Sequence, residues 1–333
     1  MDLSTNYLGL KLRTPLVPSA SPLCENLAFL EQMEDAGASA VVLHSLFEEQ
    51  IRLERHEFEH RLNQGTHSYP ESLTYFSPPP DFTIGPRNYL EHLKQAKKCL
   101  GIPVIASLNG STFGGWTSFA RQIEEAGADA LELNFYSVPT DSSISSEDIE
   151  HGYLTVLASV KSQLKIPVAV KLSPYFTNLA QFSRRLDLHG ADGLVLFNRF
   201  YQPDIDVEAL EVSPNVLLST PMDMRLPLRW VALLHGRIKA NLAATSGIHS
   251  GCDAIKLIMA GADVTMLCSV LLKRGIDHLR EIERSMCQWM EEHEYKSVAQ
   301  LKGCMSQLKC PEPAAFERAQ YIRALRTYPA TIS

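Results

Sequence analysis

The sequence has no long hydrophobic run and no excess of positive charge. No apolar stretch approaches the roughly 20 residues that a transmembrane helix needs. The 31 Lys and Arg residues are outnumbered by 38 Asp and Glu residues, so the net charge is −7. A basic surface of the kind that binds nucleic acid or anionic lipid is therefore not expected. With 45% hydrophobic residues, the composition predicts an acidic globular protein with a small-molecule substrate and no nucleic-acid or membrane partner.

The seven cysteines form no C-x-x-C pair. Their odd number and scattered positions argue against a disulfide framework or a zinc ribbon. The first six residues carry no basic flank leading into an apolar core, so no secretory leader is expected. Both patterns favour a cytoplasmic protein whose thiols are reduced.

A short phrase occurs four times: a helical stretch ends in Gly-Ala and runs into an apolar segment, at Gly37, Gly127, Gly190 and Gly261. Glycine after a helix supplies a left-handed cap, and the apolar segment is typical of a buried parallel strand. Four more apolar segments lie between these, and three of them open with proline, which the first residue of a strand tolerates. Eight strands are predicted, near 15–20, 39–45, 103–108, 129–134, 167–172, 192–197, 240–245 and 263–268.

Amphipathic helical stretches, such as 27–36, 119–126 and 255–260, separate most of these strands. Eight β-then-α units in roughly 250 residues predict an α/β fold, a single TIM-type (β/α)₈ barrel. The alternative, a doubly wound sheet, usually carries Gly-x-Gly-x-x-Gly after its first strand, and Ser21-Pro22-Leu23 stands there instead.

One domain is expected over residues 1–333, with a helical tail from about 277 packed on the barrel. Two βα connections, 46–88 and 135–152, are too long for simple turns. Both would lie on the face where barrel active sites form.

Five phrases at the expected strand ends resemble the dihydroorotate dehydrogenase family along nearly the whole chain. They are Pro15-Leu16-Val17-Pro18-Ser19-Ala20-Ser21, Glu132-Leu133-Asn134, Val170-Lys171-Leu172-Ser173-Pro174-Tyr175-Phe176, Thr245-Ser246-Gly247-Ile248-x-x-Gly251-x-Asp253-Ala254 and Ser269 through Gly275. The resemblance implies an FMN-dependent oxidoreductase that transfers a hydride between flavin N5 and a small dihydropyrimidine-like ring, such as dihydroorotate. Strand one begins by residue 15, which resembles the cytosolic class without an N-terminal helical extension. A homodimer is expected.

Lys171 stands in an otherwise apolar strand, where an unpaired ammonium would be costly to bury. One interpretation is a structural ion pair inside the barrel. The other follows from the resemblance: Lys171 matches the family lysine that faces the N1/O2 edge of the flavin and stabilises the negative charge of its reduced form.

The resemblance also places the FMN phosphate between the loops after strands seven and eight. Thr245, Ser246 and Gly247 match the first loop, and Cys268 and Ser269 match the second. This chain is less glycine-rich than the family here, since Ala244, Ser246 and Cys268 replace expected glycines. Ordinary caps and turns are the alternative interpretation. Four more residues match positions near the flavin ring and ribityl chain: Ala20, Ser21, Ser45 and Ser107.

On the substrate side the resemblance is weaker. Asn134 and Asn198 match two substrate-binding asparagines of the family, and Thr140 replaces a third. Ser137 falls near the position of the family's base, with one residue inserted, so Tyr136 and His44 are alternative bases. Three further positions depart from the family: His44 replaces a lysine, Arg199 replaces a serine, and Ser77 is a loose counterpart of another asparagine. His44 ends a strand on the active face, so it is also expected to bind the substrate.

The stretch His56-Glu57-Phe58-Glu59-His60 matches the H-E-x-x-H zinc-protease pattern. It lies in a dense run of charges, so we interpret it as a solvated helix and expect no metal. Two other functions stay open: a phosphate-binding barrel lyase or isomerase with Lys171 as Schiff-base nucleophile, or a flavin-binding protein without its own catalysis.

Overall fold

The computed structural model describes residues 1–53, 85–110, 119–199, 201–213, 216–313 and 321–322. Its core is a sheet of eight parallel strands, and the predicted barrel is confirmed. In chain order the strands are β1 (Leu16–Pro18), β2 (Val41–Phe47), β3 (Val104–Asn109), β4 (Ala130–Asn134), β5 (Val168–Leu172), β6 (Gly193–Leu196), β7 (Asn241–Thr245) and β8 (Val264–Leu267).

Each strand from β2 to β8 is hydrogen-bonded to the next, and β8 pairs with β1. The seam between β1 and β2 is bridged where the Ser39 N–H donates to the Leu16 carbonyl at 3.1 Å. The sheet thereby closes into a barrel whose strand ends all point the same way.

Helices surround the strands on the outside. They are α1 (Leu27–Asp35), α2 (Pro86–Cys99), α3 (Phe119–Glu125), α4 (Ser146–Gln163), α5 (Leu179–Leu188), α6 (Arg225–Leu234), α7 (Gly251–Ala260), α8 (Ser269–Arg274), α9 (His278–Glu292) and α10 (Val298–Leu301). In the part of the chain that the structure describes, none of them is long and apolar enough to cross a membrane.

The repeated Gly-Ala phrase has one structural role at all four places. Its glycines adopt positive φ, from +91° at Gly190 to +124° at Gly261, as left-handed caps require. The residue after the alanine then fixes the start of the neighbouring strand: Asp129, for example, accepts the Val104 N–H at 2.7 Å and pairs with Lys97. Asp192 and Asp263 repeat this with Val168 and Leu242, and Ser39 does so with Thr14.

An N-terminal hairpin, Thr5–Tyr7 with Leu10–Leu12, closes the bottom of the barrel. Tyr7 and Leu8 pack against the barrel interior, which includes Val42 and Ala169. Gly193 permits this approach, because a Cβ there would meet the Leu8 side chain at 2.8 Å. A second hairpin, Asp204–Asp206 with Glu211–Ser213, follows β6 at the opposite, upper face.

Three boundaries differ from the sequence-based expectation, two of them because capping side chains start helices early. The loop after β4 spans only 135–145, since Ser145 forms a capping box with Asp148. Similarly, α7 begins at Gly251 rather than at 255, because the Ser250 side chain accepts the Asp253 N–H. In the predicted 46–88 connection, β2 extends to Phe47 and α2 begins at Pro86. The H-E-x-x-H stretch and Ser77 lie outside the described residues.

Candidate active site

A cavity of about 520 Å³ opens at the carboxyl ends of the strands, between β1 and β5 to β8. The residues that contribute polar groups to its wall include Ser21, Lys171, Asn198, Arg199, Ser219, Thr245, Ser246 and Ser269. Apolar side chains such as Phe197, Ile248 and Met266 line the rest. We call this space the upper cavity. It lies where barrels bind ligands, and its volume is in the range of roughly 300–1,000 Å³ that is usual for small-molecule sites.

The period of a strand explains which side chains meet there. Ala130, Ala169 and Ala243 point into the barrel interior. Residues two positions later point the same way, one layer higher. Those residues are Glu132, Lys171 and Thr245. A layer of polar side chains therefore lies above the apolar interior of the barrel.

Lys171 and Glu132 form an ion pair at the floor of the upper cavity. Their Nζ and Oε1 atoms are 3.4 Å apart, and the side chains are only 8% and 1% exposed. Each charge is thus removed from water and lies next to the opposite charge of its partner. The two interpretations of Lys171 are not exclusive, because the ammonium pairs with a carboxylate and also borders the cavity.

Ser107 and Ser45 form a chain of hydrogen bonds that leads from Glu132 away from the cavity. The Ser107 hydroxyl lies 3.4 Å from Glu132 Oε1 and 2.8 Å from the Ser45 hydroxyl. Neither serine lines the upper cavity. Glu132 Oε2 is buried without a hydrogen-bond partner among the described residues. The two serines therefore stabilise Glu132 on the side away from the cavity. Sequence patterns did not identify Glu132 as a functional residue.

The loops after β7 and β8 bring together the residues predicted to hold phosphate: Thr245, Ser246, Gly247, Cys268 and Ser269 all line the upper cavity, as do Ala20 and Ser21. Ser246 replaces an expected glycine, yet its φ is +80°, and that of Gly247 is +75°. The glycine-type backbone is thus retained at a serine, at some conformational cost. Gly247 itself is obligatory, because a Cβ there would lie 2.3 Å from the Met224 backbone nitrogen.

Ser219 joins these two loops and was not identified from the sequence. Its hydroxyl accepts the Gly247 N–H at 3.3 Å, and its own N–H donates to the Ser269 hydroxyl at 3.0 Å. The Lys273 ammonium donates to its carbonyl at 2.9 Å. No motif marked the segment around Ser219, which lies far from the neighbouring strand ends in sequence.

Cys268 lines the upper cavity together with Lys171 and Arg199. Burial raises the pKa of its thiol, and the charges of Lys171 and Arg199 partly offset this. The thiol is therefore the favoured form at neutral pH.

On the substrate side, Asn198 lines the cavity and Asn134 lies behind it. The Asn198 amide donates to Asn134 Oδ1 at 2.8 Å, which fixes the orientation of both side chains. Thr140 is exposed and lines neither this cavity nor the second one described below.

Ser137 lines a second cavity of about 380 Å³ beside the first. Its hydroxyl bonds to that of Tyr153, and this bond partly offsets the increase in the Tyr153 pKa caused by burial. The neighbouring Tyr136 lines the upper cavity, and Tyr201 lines both. The structure therefore separates the candidate bases between two adjoining spaces.

His44 is directed away from the upper cavity. It lies where the register of β2 shifts against β3, and its ring packs edge-on against Tyr89 and near His92. Neither ring nitrogen of His44 makes a hydrogen bond among the described residues. The His92 ring bonds to the Cys24 carbonyl at 2.8 Å. Burial, with a smaller contribution from His92, lowers the pKa of His44 to about 4.

Comparison with known proteins agrees with these features. Residues 83–290 match the family described as "Dihydroorotate dehydrogenase". The chain is 28% identical over 310 residues to the "Dihydroorotate dehydrogenase B (NAD(+)), catalytic subunit" of Thermoplasma acidophilum, covering 91% of this chain and 98% of that protein. It is 26% identical over 306 residues to the protein of the same name from Pyrococcus abyssi, covering 90% and 98%.

The ion pair gives a first prediction. Replacing Glu132 by Gln leaves the Lys171 ammonium buried without a counter-charge, and we expect a loss of about 3–5 kcal/mol in the free energy of unfolding. Denaturant titration measures it. Glu125→Gln is the matched control, because Glu125 pairs with Arg121 on an exposed surface, where a pair contributes less than about 1 kcal/mol. Equal stability of the two variants would show that the fold does not depend on the charge of Glu132.

His44 predicts a pH effect on stability. Its pKa is about 4 in the folded protein, below the unfolded value near 6.5, so the unfolded state binds the proton first as the pH falls. The contribution of His44 to the stability is therefore complete above about pH 6.5 and is lost as the pH falls toward 4. At pH 5 the loss from this group is about 2 kcal/mol. His44→Phe should remove that part of the loss, whereas substitution of the exposed His151 should not. An unchanged pH dependence in His44→Phe would contradict this account.

Proposed function

The chain belongs to the dihydroorotate dehydrogenase family, and we propose that it is an FMN-dependent oxidoreductase. The proposed reaction is hydride transfer between flavin N5 and a small, planar, dihydropyrimidine-like ring. Dihydroorotate is the first substrate to test, since the relatives are named for it.

One observation carries the proposal. A single cavity at the catalytic end of the barrel has the Lys171 ammonium on its floor and the hydroxyl-bearing loops of β7 and β8 on its wall. FMN requires this combination: a cation near the pyrimidine edge of the flavin, apolar surface for the ring, and hydrogen-bond donors for the phosphate. The residues present fit the group.

When bound, FMN would supply the hydride acceptor at N5. Lys171 would hold positive charge beside the edge that becomes negative on reduction. The Glu132 carboxylate keeps the ammonium in place, because its contact and the strand on each side leave the side chain little freedom. Thr245, Ser246 and Ser269 would hold the phosphate end.

For the substrate, we propose that Asn198 binds the ring through the amide oxygen and the amide hydrogen that its bond to Asn134 leaves free. Asn134 acts as the positioning residue. An amide presents both a donor and an acceptor, which matches the alternating N–H and C=O groups of a dihydropyrimidine.

Oxidation of the ring also requires a base for a carbon-bound proton. We propose Ser137, which stands nearest to the family's base in the loop after β4. In the structure its hydroxyl faces Tyr153 in the second cavity, so it must turn toward the upper cavity to act. Tyr136, whose side chain already lines that cavity, is the competing candidate.

The Schiff-base alternative is disfavoured. A nucleophilic lysine must present its nitrogen to a carbonyl of the substrate, whereas Lys171 Nζ is engaged by the Glu132 carboxylate at 3.4 Å. A catalytically inert flavin protein would have the same cavity, so activity separates it from the proposal.

The test combines absorbance with anaerobic reduction. We expect the purified protein to show flavin absorption bands that bleach when dihydroorotate is added without oxygen. Ser137→Ala should bind flavin normally but slow the bleaching by about 100-fold or more, since general bases contribute roughly 10²–10⁴.

Tyr136→Phe is the comparison variant in the same assay. If it loses the rate while Ser137→Ala keeps it, the base is Tyr136 rather than Ser137. Flavin bands that do not bleach would remove dihydroorotate as substrate, and a protein that neither carries nor takes up flavin would contradict the proposed function.

A further inference from the structure

The upper cavity contains a cation that the proposed chemistry does not use. Arg199 follows β6 and lines the cavity. One of its terminal nitrogens donates to the Leu217 carbonyl. Among the described residues, no other hydrogen bond or ion pair engages the guanidinium. A guanidinium has five N–H donors, so most of them remain free.

Arg199 determines the net charge of the residues that line the cavity. Of the residues that line it, Lys171 and Arg199 are charged. The charge of Lys171 is met by Glu132, whereas that of Arg199 has no carboxylate within 4 Å among the described residues. The cavity therefore has a net positive charge carried by Arg199, and an anionic group is the ligand it favours.

Because Ser219, two residues after Leu217, contacts both Gly247 and Ser269, the bond to Leu217 locates the guanidinium near the β7 and β8 loops. Its charge acts on the Cys268 thiol, directly before Ser269. It also acts on Asp223: although partial burial works the other way, hydrogen bonds from Thr220, and then Arg199, hold the pKa of Asp223 below its usual value. The Asp223 carboxylate itself is engaged by Thr220 at 2.7 and 3.0 Å.

The donors expected from those loops are partly in use. The Gly247 N–H already donates to the Ser219 hydroxyl, whereas the Ser269 hydroxyl accepts the Ser219 N–H and keeps its own hydrogen. Arg199, in contrast, has uncommitted donors and a full charge at the same end of the cavity.

We propose that Arg199 binds the phosphate of FMN and makes the site specific for the phosphorylated flavin. This inference rests on the proposed function. The planar fork matches two phosphate oxygens at once, and a dianion gains more from it than from neutral hydroxyls.

The test compares two ligands that differ only in the phosphate. Flavin-free protein is titrated with FMN and with riboflavin, and binding is followed by quenching of flavin fluorescence. Arg199→Gln should weaken FMN binding by roughly 10- to 100-fold and leave riboflavin binding unchanged, because a hydrogen bond to a charged group contributes that much. Arg199→Lys should recover part of the loss, since it restores the charge but not the fork.

Arg121→Gln is the control, because Arg121 lies on the exposed face of α3 and pairs with Glu125. Both affinities should stay unchanged in this variant. The proposal is overturned if Arg199→Gln keeps its FMN affinity, or if FMN and riboflavin weaken equally. It is also overturned if only the affinity for dihydroorotate falls, since Arg199 would then serve the substrate. A wild-type protein that binds both flavins equally would remove the role of Arg199 and keep flavin binding, whereas one that binds neither would end the proposed function as well.

Discussion

The ion pair between Lys171 and Glu132 constrains the whole upper end of the barrel. An ammonium and a carboxylate are both desolvated there, 3.4 Å apart on neighbouring strands. Taking two charges out of water is costly, and only their mutual contact and further hydrogen bonds offset the cost. Ser107 and Ser45 supply such bonds behind Glu132. The pair thus fixes a positive group at the floor of a cavity while the protein below it stays apolar.

The fold was predictable because its signals are local and repeated. Four Gly-Ala phrases and four further apolar segments, three of them opened by proline, predicted all eight strands within a few residues. The structure adds the reason for the third member of the phrase, since Asp129, Asp192 and Asp263 each bind the N–H that starts a neighbouring strand. Helix starts were predicted less well, because single capping serines such as Ser145 and Ser250 decide them.

The site was predictable where strand geometry controls it and not where loops do. Lys171 and Thr245 reach the cavity because every second residue of a strand shares a face. His44 does not, because the register of β2 shifts between Val42 and Ser45. Ser137 follows an insertion whose path the sequence does not define, and Ser219 reaches Gly247 from a segment without any motif. The roles of Glu132 and Ser219 emerge only from contacts across the chain.

In the proposed function, the Lys171 ammonium acts on a bound flavin and not only on Glu132. The most direct measurement is the midpoint potential of bound FMN in the wild-type protein and in Lys171→Met, which keeps an unbranched side chain without the charge. A more negative potential in the variant is expected, because reduced flavin loses the cation that stabilises its negative charge. An unchanged potential with flavin still bound would contradict the account.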